Sequence, residues 1–274
     1  MDKRGKFKVV FNAAVQFLNN IVIQHPKLNE LILKQHLEQK SEFDNITDAN
    51  RRLVESLQNR NMMTSVINFR EKEERLRAIL YDYNPKKIIQ EYSTVDSLFR
   101  RFQDEFVIIN GKRNLWRKFS EGILSGSKFL SSFKNKKEFD GFIHTFSLNK
   151  YTRAALPLLL SREIRGFGLA LACDFLKELG YRDYPKPDRH LIKIFNSLGL
   201  SESEDPYDAY KSIVEMAEVV KKDAYTVDKV FWLIGSGKFN LVDIKVGNHC
   251  DKFIEYGNKV LREKQKSFVN GSNG

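Results

Sequence analysis

The residues of this chain whose types and spacing could do chemistry lie between 164 and 190. In Ile164-Arg165-Gly166-Phe167-Gly168, two glycines flank one aromatic residue just ahead of an apolar run, 169–179. A Gly-x-Gly turn before a helix leaves backbone N–H groups unpaired at the helix start, and with the helix dipole they make a site for an anion such as phosphate. Glycine permits the turn and lets the anion come close. The same pattern also describes an ordinary packing corner between two helices. Further along, Asp188-Arg189-His190 follows Pro187 and precedes Leu191, Ile194, Phe195 and Leu198, spaced as one helix face. Asp188 stands where an N-cap belongs, and capping is the ordinary job of an aspartate there. Held by Pro185 and Pro187, it is also a carboxylate fixed in place, able to stabilise a developing cation or to orient a water molecule.

The elements that must position these residues read as helices. Apolar residues recur at helical spacing along most of the chain, beginning with Phe7, Val10, Phe11, Ala14, Leu18, Ile21 and Val22. Pro26 breaks that stripe, and Pro85 is placed to open a later helix. Helices are expected over 114–130 and 136–146, and from 154 onward, with a stop at Gly180 and another at Gly199. Phe106–Ile109, followed by Asn110-Gly111, has a strand-like composition but only four apolar residues, and is read as a loop or helix end. The expectation is an all-α chain: an N-terminal helical region over 1–60, a helical region over 61–265 with a helix-hairpin-helix at 154–180, and a flexible tail over 266–274.

Lys and Arg outnumber Asp and Glu by 46 to 35, a net charge of +11, which favours a polyanionic partner. Two cysteines, Cys173 and Cys250, are too few for a disulfide framework or a four-cysteine metal or iron–sulfur site. Cys173 sits in an apolar run and reads as a small buried residue. The basic start of the chain leads into an amphipathic pattern rather than a signal peptide, and no window is apolar enough to span a membrane. A cytoplasmic, monomeric protein is expected, neither secreted nor membrane-bound, and associated with the nucleoid if bacterial.

Taken together, the hairpin and the aspartate resemble the helix-hairpin-helix DNA glycosylases, the superfamily of endonuclease III, the adenine glycosylase and the oxoguanine glycosylases. The family's hairpin reads roughly Leu-Pro-Gly-Val-Gly, and its catalytic aspartate stands in an Asp-x-His context after a proline-containing loop. Here those stretches are Ile164–Gly168 and Asp188-Arg189-His190. The family's lyase lysine, where present, lies two residues beyond the second glycine; that position is Ala170, 18 residues before Asp188. The close match covers about 45 residues. Arg165 replaces the usual hairpin proline, the lysine is missing, and so are the cluster-binding cysteines of the endonuclease III branch.

The resemblance implies a multi-helix glycosylase fold with an added N-terminal helical layer. It also implies a double-stranded DNA partner and hydrolysis of an N-glycosidic bond after the base is swung out of the stack. Asp188 would be the catalytic carboxylate. Arg165, Gly166, Phe167, Gly168, Leu169 and His190 would contact DNA, His190 more as a structural or phosphate-side group than as a catalyst. Trp116, Tyr151 and Trp232 are candidate pocket residues. Gln58, Asn59, Asn61 and Gln90 are candidate plugs for the vacated stack, although each of these aromatics and amides also has a bland reading as core or surface. No cofactor or catalytic metal is required, no iron–sulfur cluster is expected, and a monovalent cation at the hairpin backbone is compatible. Without the lysine, a monofunctional enzyme of base excision repair leaving an abasic site is the leading expectation. The alternatives are a bifunctional glycosylase/lyase using Lys186 or Lys193, a base-excising defence enzyme against modified phage DNA, and a non-catalytic hairpin DNA-binding protein.

Overall fold

A computed structural model describes residues 1–38, 41–60 and 63–271, with side chains as far as Lys266. Nearly all regular structure among these residues is helical, so the chain is all-α. In chain order the helices are α1 Lys3–Gln24, α2 Glu30–Glu38, α3 Ile46–Leu57, α4 Thr64–Ile67 and α5 Phe69–Ile79. There follow α6 Pro85–Glu91, α7 Val95–Glu105, α8 Arg113–Ser131, α9 Lys136–His144 and α10 Lys150–Glu163. The last five are α11 Leu169–Glu178, α12 Arg189–Ser197, α13 Pro206–Val220, α14 Ala224–Ser236 and α15 Cys250–Gly271.

Local chemistry explains many of these starts. Pro85 occupies the first turn of α6 behind an Asn84 cap, as the missing N–H of proline allows. Thr94 and Ser97 form a capping box on α7, and Asn149 and Thr152 form one on α10. The segment after α7 is irregular, then a 3-10 turn over Asn110–Lys112, which agrees with its reading as a loop or helix end. A two-residue antiparallel ladder, β1 Lys238–Phe239 with β2 Ile244–Lys245, was not expected; strands this short carry no periodicity to read.

The chain divides into two compact units. Unit 1 combines Met1–Lys40 with Arg182–Gly274, and unit 2 is Ser41–Tyr181. The boundary expected at residue 60 therefore falls inside unit 2, and the region expected over 61–265 contributes to both units. The reason is that the apolar stripe of α1 is closed mostly by α13, α14 and α15, with a smaller share from α2. The final helix also runs on to Gly271, past the expected start of a tail at 266, because Glu263, Lys264, Gln265 and Lys266 favour helix.

Within unit 1 the core gathers Phe7, Val10, Leu191, Phe195, Phe231 and Phe253 with their neighbours. The Phe195 and Phe253 rings each meet Phe231 edge-on, the favoured geometry for aromatic pairs. Within unit 2, α8 is the central helix, packed by α3, α6 and α7. Phe102, Trp116 and Phe119 cluster there. The one buried amide on α3, Asn50, donates to the Tyr83 carbonyl at 2.9 Å and to Ser127 Oγ at 3.1 Å, so its polarity is satisfied in place.

Candidate functional site

In unit 2, α10 and α11 form the two arms of the hairpin, with Ile164 and Phe167 buried as its apolar anchors. Phe167 N–H closes the turn on the Ile164 carbonyl at 3.1 Å. Gly166 has φ +97°, a conformation that side chains rarely adopt. Gly168 is different: its φ is −107°, and a methyl group added there would meet nothing within 4 Å. The fold itself therefore does not require glycine at 168. Gly168 provides no side-chain cap, so among the described residues the N–H groups of Leu169 and Ala170 have no acceptor. They form the positive end of a ten-residue helix.

The middle of α8 holds this turn. Ser125 Oγ accepts from Arg165 N–H at 2.8 Å. A methyl group at Gly122 would sit 2.5 Å from Leu57 and 2.9 Å from the Arg165 carbonyl, so glycine is what lets the turn approach. Arg60 lies on the other side: its Nη1 would be 2.7 Å from a methyl group at Gly166. Arg60, Gly122 and Ser125 were missed in the sequence. Only the Gly-x-x-x-Gly spacing of Gly122 and Gly126 hinted at a close approach to α8. The guanidinium already brings positive charge to the turn, which disfavours a second, monovalent cation within a few ångströms of it.

In unit 1, Asp188 caps α12. Its Oδ1 accepts from His190 N–H at 2.8 Å and from Leu191 N–H at 3.1 Å. Its Oδ2 has no partner among the described residues, and the side chain is half-buried. The preceding loop is pinned by Asp228, a buried α14 residue that no local pattern singles out. Asp228 Oδ2 accepts from Lys186 N–H at 2.7 Å, and Pro185 and Pro187 are buried beside it in the sequence. His190 packs against Gly235, where a methyl group would lie 2.6 Å from the His190 Cβ. Its Nδ1 lies 3.7 Å from Cys250 Sγ. Burial lowers the His190 pKa from its ordinary value, opposed by the Asp188 carboxylate, so His190 favours the neutral form.

The remaining candidates scatter. Trp116 is a core residue of unit 2, stacked on Phe106 at 5.1 Å. Tyr151 is 60% exposed on α10. Trp232 is half-buried against the unit 1 core, with Lys229 Nζ 4.9 Å from its ring. Gln58 is buried and accepts from Phe69 N–H at 3.0 Å, so it is held inside the fold rather than poised to plug a stack. Asn59 and Gln90 are exposed, and Asn61 lies outside the described residues. Lys193 is paired with Asp251 at 2.6 Å, which raises its pKa. Val107 and Ile109, in the loop before α8, are 100% and 70% exposed, with Lys112 and Arg113 close behind in the sequence.

Among the described residues, no three His, Cys, Asp or Glu side chains group as a metal ion would need, and no helix is long and apolar enough to cross a membrane. Cys173 and Cys250 are both free and buried. Compared with family models, with curated proteins and with solved structures, the chain matches none.

Proposed function

We propose that the chain is a DNA glycosylase of the helix-hairpin-helix type. It holds duplex DNA at the 164–168 hairpin and hydrolyses the N-glycosidic bond of a flipped nucleotide with Asp188. The observation that carries this reading is the start of α11, where a glycine not demanded by the fold leaves helix N–H groups open to an outside anion. The net charge of +11 supports a polyanion as that partner.

Asp188 suits its part. One carboxylate oxygen is engaged in capping and fixes the group; the other is available to stabilise positive charge at the sugar and to orient the attacking water. As the base leaves, the bonding pair goes to its ring nitrogen. The water oxygen bonds to C1′, and its proton passes to Asp188 or to solvent. Val107 and Ile109 offer an apolar tip of the kind that enters an opened base step. With alanine at 170 and Lys193 tied to Asp251, a hydrolytic product is favoured over a lyase product.

The test is a panel of duplexes, each with one damaged or modified base, assayed for base release before and after alkali. Base release from at least one duplex, lost in Asp188→Asn, is expected. Duplex binding with no release from any member would favour the non-catalytic DNA-binding alternative.

A further inference from the structure

We infer that Arg60 is a phosphodiester-binding residue of the hairpin, its guanidinium laid against Gly166 to meet the same DNA backbone as the N–H groups of α11. This rests on the DNA-binding part of the proposed function.

The geometry around Gly166 is specific. A methyl group there would lie 2.7 Å from Arg60 Nη1, 3.2 Å from Cδ and 3.4 Å from Cζ. The end of the side chain thus occupies the space that a side chain at 166 would need, and glycine at 166 answers two demands at once, the positive φ and the room for this contact. Arg60 follows α3, a helix that packs against both α8 and α11, so its backbone is set by the framework that holds the hairpin.

The charge partners of Arg60 differ from those of its neighbours. Arg51 pairs with Glu55 and Glu73, and Arg52 with Asp48. No carboxylate lies within ion-pair distance of Arg60 among the described residues. A half-buried guanidinium without a counter-charge gains from an incoming anion what its neighbours gain from glutamate, and its planar fork suits phosphate. Arg165, exposed and next to Gly166 in the chain, adds a second guanidinium at the turn.

The experiment measures binding of a plain labelled duplex across a salt series for the full chain and for Arg60→Met, Arg60→Gln and Arg60→Lys. Arg60→Met should weaken binding about tenfold and make the log K against log salt slope shallower by about 0.9, the release of one phosphate contact. Arg60→Gln, which stays polar but carries no charge, should lower the slope by the same amount and decides the matter if the methionine variant does not fold, while Arg60→Lys should keep the slope and lose less affinity. If the unaltered protein binds duplex but Arg60→Met keeps its slope, Arg60 only props the turn; the inference is then wrong while the DNA-binding reading stands. No duplex binding by the unaltered protein overturns both.

Discussion

The two helix starts on which the proposed function rests, one in each unit, solve one problem in opposite ways. Every α-helix begins with backbone N–H groups that its own turns cannot satisfy. In unit 1, α12 closes its start with the carboxylate of Asp188. In unit 2, α11 starts at Gly168 with no side chain to do so. Its neighbours in that unit show what an ordinary closed start looks like: α3, α9 and α10 are capped by Asn45, Asn135 and Asn149. α5 and α8 also begin without a side-chain cap, but at Asn68 and Lys112, not at a glycine that the fold does not require. The contrast teaches where to look for function: a start left open at a glycine the fold does not require has room for an anion from outside, and a closed start whose cap keeps a spare oxygen can do more than cap.

The largest expected effect comes from separating the two jobs of Asp188. Asparagine caps a helix about as well as aspartate but carries no charge. Asp188→Asn should therefore keep the stability of unit 1 while base release falls by about a thousandfold or more. Asp188→Ala should lose the same activity and about 1 kcal/mol of stability besides, read from urea unfolding. If Asp188→Asn released base at the unaltered rate, the carboxylate would be a cap and nothing else.

The next effect concerns the amine that α11 lacks. A lyase attacks C1′ with an unprotonated amine and stays linked as a Schiff base. Ala170 cannot do so, and Asp251 holds Lys193 protonated. Strand breaks should appear only after alkali or heat, and borohydride should trap no protein on DNA. An efficient trapped complex from the unaltered chain would mean that another lysine is the nucleophile, to be identified by peptide mass.

How much of this was legible in the sequence follows from range. The Asp188 cap, the α12 face and the end of α11 before Gly180 depend on neighbours within a turn or two, and they stand where the pattern placed them. The burial of Cys173 followed from its apolar run. Arg60 against Gly166, Ser125 on Arg165 and Asp228 under Lys186 join residues roughly 40 to 106 positions apart, and no local periodicity records such pairs. Trp116 was singled out as an aromatic that could stack on a base. Its partners are Phe102, Phe106 and Phe119, which a sequence pattern cannot tell from a binding pocket. The two-unit division lies beyond local pattern for the same reason, since α1 finds most of its partners beyond residue 205.

A smaller effect should follow from making the open start resemble the closed one. Gly168→Asp would give α11 its own carboxylate cap where there is room for a side chain. Stability should hold or rise by a few tenths of a kcal/mol, while the new carboxylate repels phosphate and takes up the N–H groups. Duplex affinity should drop about tenfold or more. By contrast, Gly166→Ala should destabilise unit 2 by about 1–3 kcal/mol, through its φ of +97° and the contact with Arg60. Unchanged duplex affinity in Gly168→Asp would show that the open start is not where DNA binds.

The smallest effect tests whether the two units differ in acid as they do at their helix starts. Unit 1 holds His36, 1% exposed, whose Nε2 accepts from Leu241 N–H at 3.3 Å. Its Nδ1 must then carry the proton shared with the Ile32 carbonyl at 2.8 Å. A second proton would need the nitrogen that faces Leu241 N–H, and burial, with Lys229 nearby, lowers the His36 pKa from its ordinary 6.5. Below that value the unfolded chain binds a proton that the folded chain resists, so the contribution is complete above about pH 6.5 and is lost as the pH falls. His190, also in unit 1, is shifted the same way by burial. In unit 2 the one histidine, His144, is exposed. The two tryptophans report separately, Trp232 from unit 1 and Trp116 from unit 2. Urea unfolding of Trp116→Phe and Trp232→Phe at about pH 7.5 and about pH 5 should show the larger acid loss at Trp232. His36→Gln, which can still accept from Leu241 but does not titrate, should flatten that loss. Equal losses at both tryptophans, unaltered by His36→Gln, would place the acid sensitivity elsewhere than in the buried histidine.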